Sequence, residues 1–426
     1  KMSSVIDEIK NRGQELLLIH TGQHYDKEMS DNFFFDLELP APNYNIHVGS
    51  GSHGEQTGKM MEGIEEVLLK EKPDILLVQG DTNAVLAGAL VASKLHIPVG
   101  HVEAGLRSFD ETMPEEINRL VADACSKLYF VPTEESAVNL MMEGISRKRI
   151  FITGNTVVDA CFRNLKISKS RSIDKYDKGL VDLDINNMEN IVTLTMHRAE
   201  NVDIKERVEN IIGAIEELSE MNIIFPIHPR TKKMLENFGL LDKLNSMGHV
   251  HIIKPVGYLD FLLLISKSTF ILTDSGGLQE EAITLDVPAL TLRYNTERPE
   301  TVTAGGNILV GSDKEVILEN ARKILDSEEF ANKMKSAVNP YGVGDAAKIM
   351  LDVILEADEN NELIISAPDE VMSTFTRKVI TLDKDISVNE FEEDNNLVKM
   401  VLDGENIKFP YDDLNLNGLT VIYDCY

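Results

Sequence analysis

Short apolar runs recur along this chain, each followed by an amphipathic stretch of helical period, and that alternation leaves few folds open. In the first part the strand-like runs fall at 15–19, 74–79, 97–102, 127–131 and 149–153, with helical stretches at 1–10, 60–70, 83–94, 114–124 and 134–143. A second series starts at Ile191, with strands at 191–195, 223–227, 250–253, 270–273, 289–293 and 308–310 and helices at 205–219, 258–266 and 276–284. Strands that are apolar throughout, not at every second position, are buried on both faces, so each series predicts a parallel sheet covered by helices. The expected fold class is α/β, with two Rossmann-like, doubly wound domains and a cleft where the carboxyl ends of their strands face each other.

A chain of 426 residues exceeds what one core serves. The polar, Ser/Lys-rich stretch 155–184 marks the expected boundary, giving domains at 1–160 and 161–338, a helix at 339–357 and an extension at 358–426. The Gly-rich segment 45–59 reads as a mobile loop. The extension holds 16 acidic and 5 basic side chains, with β-like runs at 377–382, 397–402 and 419–423, and predicts a small acidic β-rich appendage. Acidic side chains outnumber basic ones 71 to 42, a net charge of −29. That balance excludes nucleic acid as a partner and requires any anionic ligand to be met by a local basic pocket. No apolar run reaches the ~18 residues of a membrane span, and no signal peptide is evident. Cys125, Cys161 and Cys425 are too few for a disulfide framework or a zinc site, which predicts a reduced, cytoplasmic protein. The histidines show no metal-ligand spacing, so no metal is expected.

Candidate chemistry gathers where strands end. Asp81 follows one strand and Glu103 the next; Ala104 and Gly105 then let the backbone turn close to a ligand. Pro114 opens a helix carrying Glu115, Glu116 and Arg119, with Arg107 before it, a concentration of carboxylates and guanidiniums suited to acid–base work on an anionic substrate. In the second series His197 and Arg198 follow the first strand, placed to hold a leaving pyrophosphate or move a proton. DSGGLQEE (274–281) reads as strand, Gly pair and helix: Ser275, Gly276 and Gly277 offer helix N–H groups to phosphate, and Glu281 can accept from ribose hydroxyls. Arg293 and TERPE (296–300) complete an expected nucleotide-diphosphate site, and His228-Pro229-Arg230 lies at another strand end.

The motifs GQH (22–24), GDT (80–82), HVEAGLR (101–107), PEEINR (114–119), TGNTVVDA (153–160), MHRAEN (196–201), TDSGGLQEEA (273–282) and TERPE (296–300), in this order, resemble those of the non-hydrolysing UDP-N-acetylglucosamine 2-epimerases. The resemblance covers roughly 1–355, with NPYG (339–342) ahead of the last helix. It implies the two-domain GT-B fold, a final helix crossing back to the first domain, and a homodimer. The implied reaction interconverts UDP-GlcNAc and UDP-ManNAc by eliminating UDP to a 2-acetamidoglucal and adding it back on the other face. Carried over residue by residue, it assigns catalysis to Asp81, Glu103, Glu115 and His197, and substrate binding to Lys1, Arg119, Arg198, Ser275, Gly276, Gly277 and Glu281. No cofactor is implied, since no hydride moves. The family's opening strand and GTRPE loop have no counterpart here and Lys1 matches the last residue of that segment, so the chain is expected to be a fragment of a longer product. Bacterial members hold allosteric UDP-GlcNAc with an Arg where Lys59 stands, and HPRTKK (228–233) differs from their usual form. The alternatives are a 2-epimerase of a UDP-diacetamido-uronic acid, where HPRTKK forms also occur, and a GT-B glycosyltransferase.

Overall fold

Parallel pairing follows from the apolar character of the strands, and the computed structural model shows it in both halves. It describes residues 1–22 and 34–365 with their side chains, and the backbone of three strands beyond them. After the helix Ser3–Asn11, strands β1 (Ile19–His20) and β2 (Tyr44–Asn45) pair in a sheet of their own. The strands β3 (Leu76–Gln79), β4 (Val99–Val102), β5 (Leu128–Val131) and β6 (Ile150–Ile152) form a second parallel sheet in that order. Every residue of β4 and β5 is buried, as expected for strands covered on both faces.

Two expectations need correction here. The run 15–19 is half-buried and contributes only its end to β1, which pairs with β2 alone. The segment 45–59 is helical in its second part: His53–Glu71 starts where the Ser52 hydroxyl accepts from the Glu55 N–H at 3.4 Å. Ser52 and Glu55 stand at capping-box spacing, and that local signal outweighs the glycines around it.

The second half holds six parallel strands: β7 (Ile191–Thr195), β8 (Asn222–Pro226), β9 (Val250–Ile253), β10 (Ser268–Thr273), β11 (Ala289–Thr291) and β12 (Asn307–Leu309). Their spatial order is β12-β11-β10-β7-β8-β9. The chain lays down β7, moves outward through β8 and β9, then returns to the other side of β7 with β10. The crevice between the carboxyl ends of β7 and β10 is therefore the topological switch point, where such sheets bind ligands. Phe225 and Phe270, both fully buried, anchor the core of this sheet; truncating a buried Phe to Ala costs ~3–5 kcal/mol.

The polar stretch 155–184 opens with a helix, Thr156–Ser170, that spans the expected 160/161 division. Asn155 caps it, accepting from the Val157 N–H at 3.0 Å, and Val157, Val158, Ala160 and Cys161 are buried along it. Before it, Gly154 has φ +80°, and a Cβ there would lie 2.5 Å from the Tyr341 carbonyl oxygen. Only glycine lets this loop approach that carbonyl, to which the Asn155 N–H donates at 2.8 Å. The last long helix, Ala346–Glu359, returns to the first half: Met350, Leu351 and Ile354 share a core with Val5, Val102 and Phe130. Asp159 caps it by accepting from the Ala347 N–H at 3.0 Å.

Residues 1–365 make one unit and 366–426 another. In the latter, β13 (Val388–Asp394), β14 (Leu397–Leu402) and β15 (Glu405–Pro410) pair antiparallel. The β-like run at 397–402 is β14; those at 377–382 and 419–423, like Gln23 and His24 of the GQH motif, lie outside the described residues. Among the described residues no helix is long and apolar enough to cross a membrane.

Candidate active site

A completely buried carboxylate organises the switch point of the second sheet. Asp274, one residue past β10, accepts from the His197 N–H through both oxygens (3.1 and 2.9 Å) and from the Arg198 N–H at 2.8 Å. Its Oδ1 also lies 3.0 Å from His197 Nδ1. Burial alone would raise the Asp274 pKa, but these hydrogen bonds and the facing imidazole hold it below the usual carboxylate range. With Nδ1 occupied, Nε2 is the nitrogen left for chemistry on a half-exposed ring.

Directly after Asp274, Ser275 is the N-cap of the helix Gly276–Thr284, and its hydroxyl makes no capping bond to that helix. A Cβ on Gly277 would meet nothing within 4 Å, and one on Gly276 only Glu297 at 3.4 Å. The site is thus open for an anion beside the positive end of the helix. Further along, Glu281 is buried and accepts from the Tyr258 hydroxyl at 3.1 Å; burial raises its pKa to about 7. Arg293 holds the next loop in place through a bidentate pair with Glu297 (2.6 and 3.0 Å) and a bond to Glu200 at 3.0 Å. Those contacts bring Glu297 down to about 2, while Arg198 lies 3.7 Å from the same carboxylate.

On the first sheet, Glu103 sits just past β4 in the left-handed region at φ +66°, a conformation costing a non-glycine residue ~1–3 kcal/mol. The turn is held on its far side by Gly105, where a Cβ would lie 2.2 Å from the Ser136 carbonyl oxygen. Glu103 is buried, 2.9 Å from Lys1 Nζ, and accepts from the Gln79 amide at 3.0 Å. Asp81 follows β3 and pairs with Arg119 at 2.5 Å; the same guanidinium holds Glu116 at 2.6 Å. Glu115 is half-buried in the first turn of the helix Pro114–Cys125, with no hydrogen-bond partner to its side chain among the described residues. Lys1–Glu103 and Arg119–Asp81 are therefore two cation–carboxylate pairs on one sheet edge.

The two edges meet electrostatically. Glu280, buried one position before Glu281, accepts from Arg298 at 2.6 Å and from Asn155, of the first half, at 3.4 Å. Burial raises its pKa, Arg298 and Lys1 oppose the shift, and Glu103 adds to it. Asp274 and Glu280 both make contacts that the motif DSGGLQEE, read for Ser275, Gly276, Gly277 and Glu281, had not assigned to them. The available signal was position: Asp274 ends the strand next to the one that His197 ends. His228, a weaker candidate at its own strand end, lies with its ring 6.3 Å from that of His197. A separate cavity of about 390 Å³, lined in part by Tyr44, His47, Lys59 and Glu62, shares no residue with this group.

Two parallel sheets flanked by helices, one followed by a helix whose first turn is open at Gly276 and Gly277 and the other carrying paired carboxylates, define an α/β enzyme of the GT-B type. Comparison with known proteins narrows the class. The profile of the UDP-N-acetylglucosamine 2-epimerase family matches residues 7–355, and the chain belongs to that family. The UDP-N-acetylglucosamine 2-epimerase of Methanocaldococcus jannaschii is 52% identical over 358 residues, 83% of this chain and 95% of that protein. The solved structure of the M. jannaschii enzyme superposes with a TM-score of 0.76 at 49% identity, over 84% of this chain and 96% of that one. Its complex with UDP-GlcNAc and UDP gives a TM-score of 0.68 at 50% identity with the same coverage.

The Asp274–His197 pair carries a direct consequence. Replacing Asp274 by Asn keeps an acceptor for the backbone N–H groups but removes the charge that orients the ring. Turnover of the sugar nucleotide is expected to fall by at least ~100-fold, the scale of a lost charge-stabilising contact in the transition state, while UDP affinity by calorimetry changes only a few-fold. Undiminished turnover would show that His197 needs no such support.

Proposed function

We propose that this chain interconverts UDP-GlcNAc and UDP-ManNAc by inversion at C2 of the sugar, keeping the nucleotide attached in the product. The observation that carries the reading is the pairing of Glu103 and Asp81 on one sheet edge with an open helix end, Ser275-Gly276-Gly277, on the other. The C2–H of the sugar has no adjacent carbonyl, so its removal must accompany departure of the C1 pyrophosphate. A carboxylate takes the C2 proton as the C1–O bond to UDP breaks and a C1=C2 double bond forms. UDP then adds back to C1 while a proton is delivered to the opposite face of C2.

In this reading Asp81, Glu103 and Glu115 supply the proton-transfer groups, with Lys1 and Arg119 holding the first two in place. His197 and Arg198 receive the charge of the leaving pyrophosphate, as do the N–H groups of Gly276 and Gly277 and the Ser275 hydroxyl. Glu281 accepts from the ribose hydroxyls. The enzyme works in the cytoplasm as a homodimer; the helix Pro114–Cys125 leaves Ile117 and Leu120 exposed on its outer face for a second copy to cover.

The direct test follows the products from UDP-GlcNAc by NMR. UDP-ManNAc is expected, whereas free ManNAc with UDP, or turnover of a UDP-diacetamido-uronate alone, would overturn the assignment. Glu103→Gln and Glu115→Gln are each expected to lower kcat by ~10²–10⁴-fold with UDP affinity nearly intact; loss of UDP binding in both would make them structural.

A pH dependence follows from Glu281. Its carboxyl, raised to about 7, must be ionised to accept from both ribose hydroxyls, so UDP affinity is expected to rise with pH through that value and to weaken below it. Glu281→Gln should flatten the profile. Calorimetric titration of UDP across this range checks it, and an unchanged slope in the variant would assign the dependence to another group.

A further inference from the structure

The motif 101–107 contains a histidine that the reaction above does not use. His101 lies inside β4, completely buried, and each of its ring nitrogens faces an oxygen: Nδ1 is 2.6 Å from Asp123 Oδ1 and Nε2 is 2.9 Å from the Gly80 carbonyl oxygen. A carbonyl oxygen only accepts, so Nε2 donates. Asp123 is wholly buried: burial raises its pKa, but His101 and Arg107 outweigh that and hold it below the usual carboxylate range. It accepts from Arg107 at 2.7 Å and from the Gly105 N–H at 3.2 Å, so it too is an acceptor toward the ring. Arg107 in turn is held by Glu143 at 2.7 and 2.6 Å.

The other end of this chain of bonds is the loop that carries Asp81. Gly80 has φ +78°; its N–H donates to the Val102 carbonyl at 3.0 Å while its own carbonyl accepts from His101. The Asp81 carbonyl accepts from Asn118 at 2.8 Å, and its carboxylate meets Arg119. Every one of these partners lies between positions 101 and 119, so two neighbouring motifs grip the peptide groups on both sides of the Asp81 Cα.

We propose that His101 is a positioning residue for the reaction: a doubly donating imidazole strung between Asp123 and the Gly80 carbonyl that fixes the backbone from which Asp81 reaches the sugar. The inference rests on the reading of Asp81 as a proton-transfer group. A glutamine at 101 has one amide to offer and cannot span both acceptors, so the loop loses its hold on one side. A misplacement of about 1 Å at a reacting group lowers rates by roughly 100-fold.

The test compares full-length wild type with His101→Gln and Asp81→Asn. For His101→Gln, kcat is expected to drop by roughly 100-fold with KM and UDP affinity within about two-fold; unchanged kcat, or kcat and UDP affinity falling together, would overturn the proposal. In ¹⁵N-histidine-labelled wild type, one ring is expected to show a slowly exchanging Nε2–H proton, bonded to the Gly80 carbonyl, that is lost in the variant. Should His101→Gln fail to fold, the wild-type spectrum decides alone, and absence of such a ring contradicts the proposal. Full activity in Asp81→Asn would instead remove the reading of Asp81 while leaving the His101 spectrum to stand or fall separately.

Discussion

The buried carboxylate of Asp274 is the interaction on which the arrangement of the second half depends. It satisfies the N–H groups of His197 and Arg198 and the ring of His197, all from the strand end beside its own. An uncompensated charge at zero exposure would be costly, and removing one partner of a buried pair typically costs ~3–5 kcal/mol. The two strand ends are therefore locked together by the group that aims the imidazole. Because β10 continues into Ser275 and the helix behind it, the same lock sets the histidine relative to the helix end proposed to hold phosphate.

The first half solves the matching problem by different means. Its carboxylates lie just past the strand ends and are held by cations, Lys1 on Glu103 and Arg119 on Asp81. Its backbone is bent to present them, through the left-handed Glu103 and the close approach at Gly105. The halves are joined at Gly154 and Asn155, which meet Tyr341 and Glu280, and by the helix Ala346–Glu359 packed in the first core. In the proposed reaction, acid–base groups from one sheet and leaving-group contacts from the other act on a single sugar nucleotide.

Much of this was legible in the sequence because apolar period and strand-end position are local signals. The strands 191–195 and 250–253 and the helix 83–94 were read with the bounds the structure gives, and the strand-end residues Asp81, Glu103, His197 and Ser275 lie where the alternation put them. What failed to show was long-range or side-chain dependent. The helix Thr156–Ser170 was hidden by its polar outer face, and the start of His53–Glu71 by glycines around a capping serine. Asp274, Glu280 and His101 have meaning only through partners far along the chain: 77 residues separate Asp274 from His197, 125 separate Glu280 from Asn155, and 22 separate His101 from Asp123. A pattern of single positions carries no record of such pairs.

The central claim is that carboxylates of the first sheet remove the C2 proton of a sugar whose diphosphate the second sheet draws away. Incubation with UDP-GlcNAc in heavy water tests it most directly. The account predicts deuterium at C2 in both the recovered substrate and its epimer, since the proton returned to either face comes from groups that exchange with solvent. A sugar nucleotide that is turned over yet keeps its original hydrogen at C2 would contradict it.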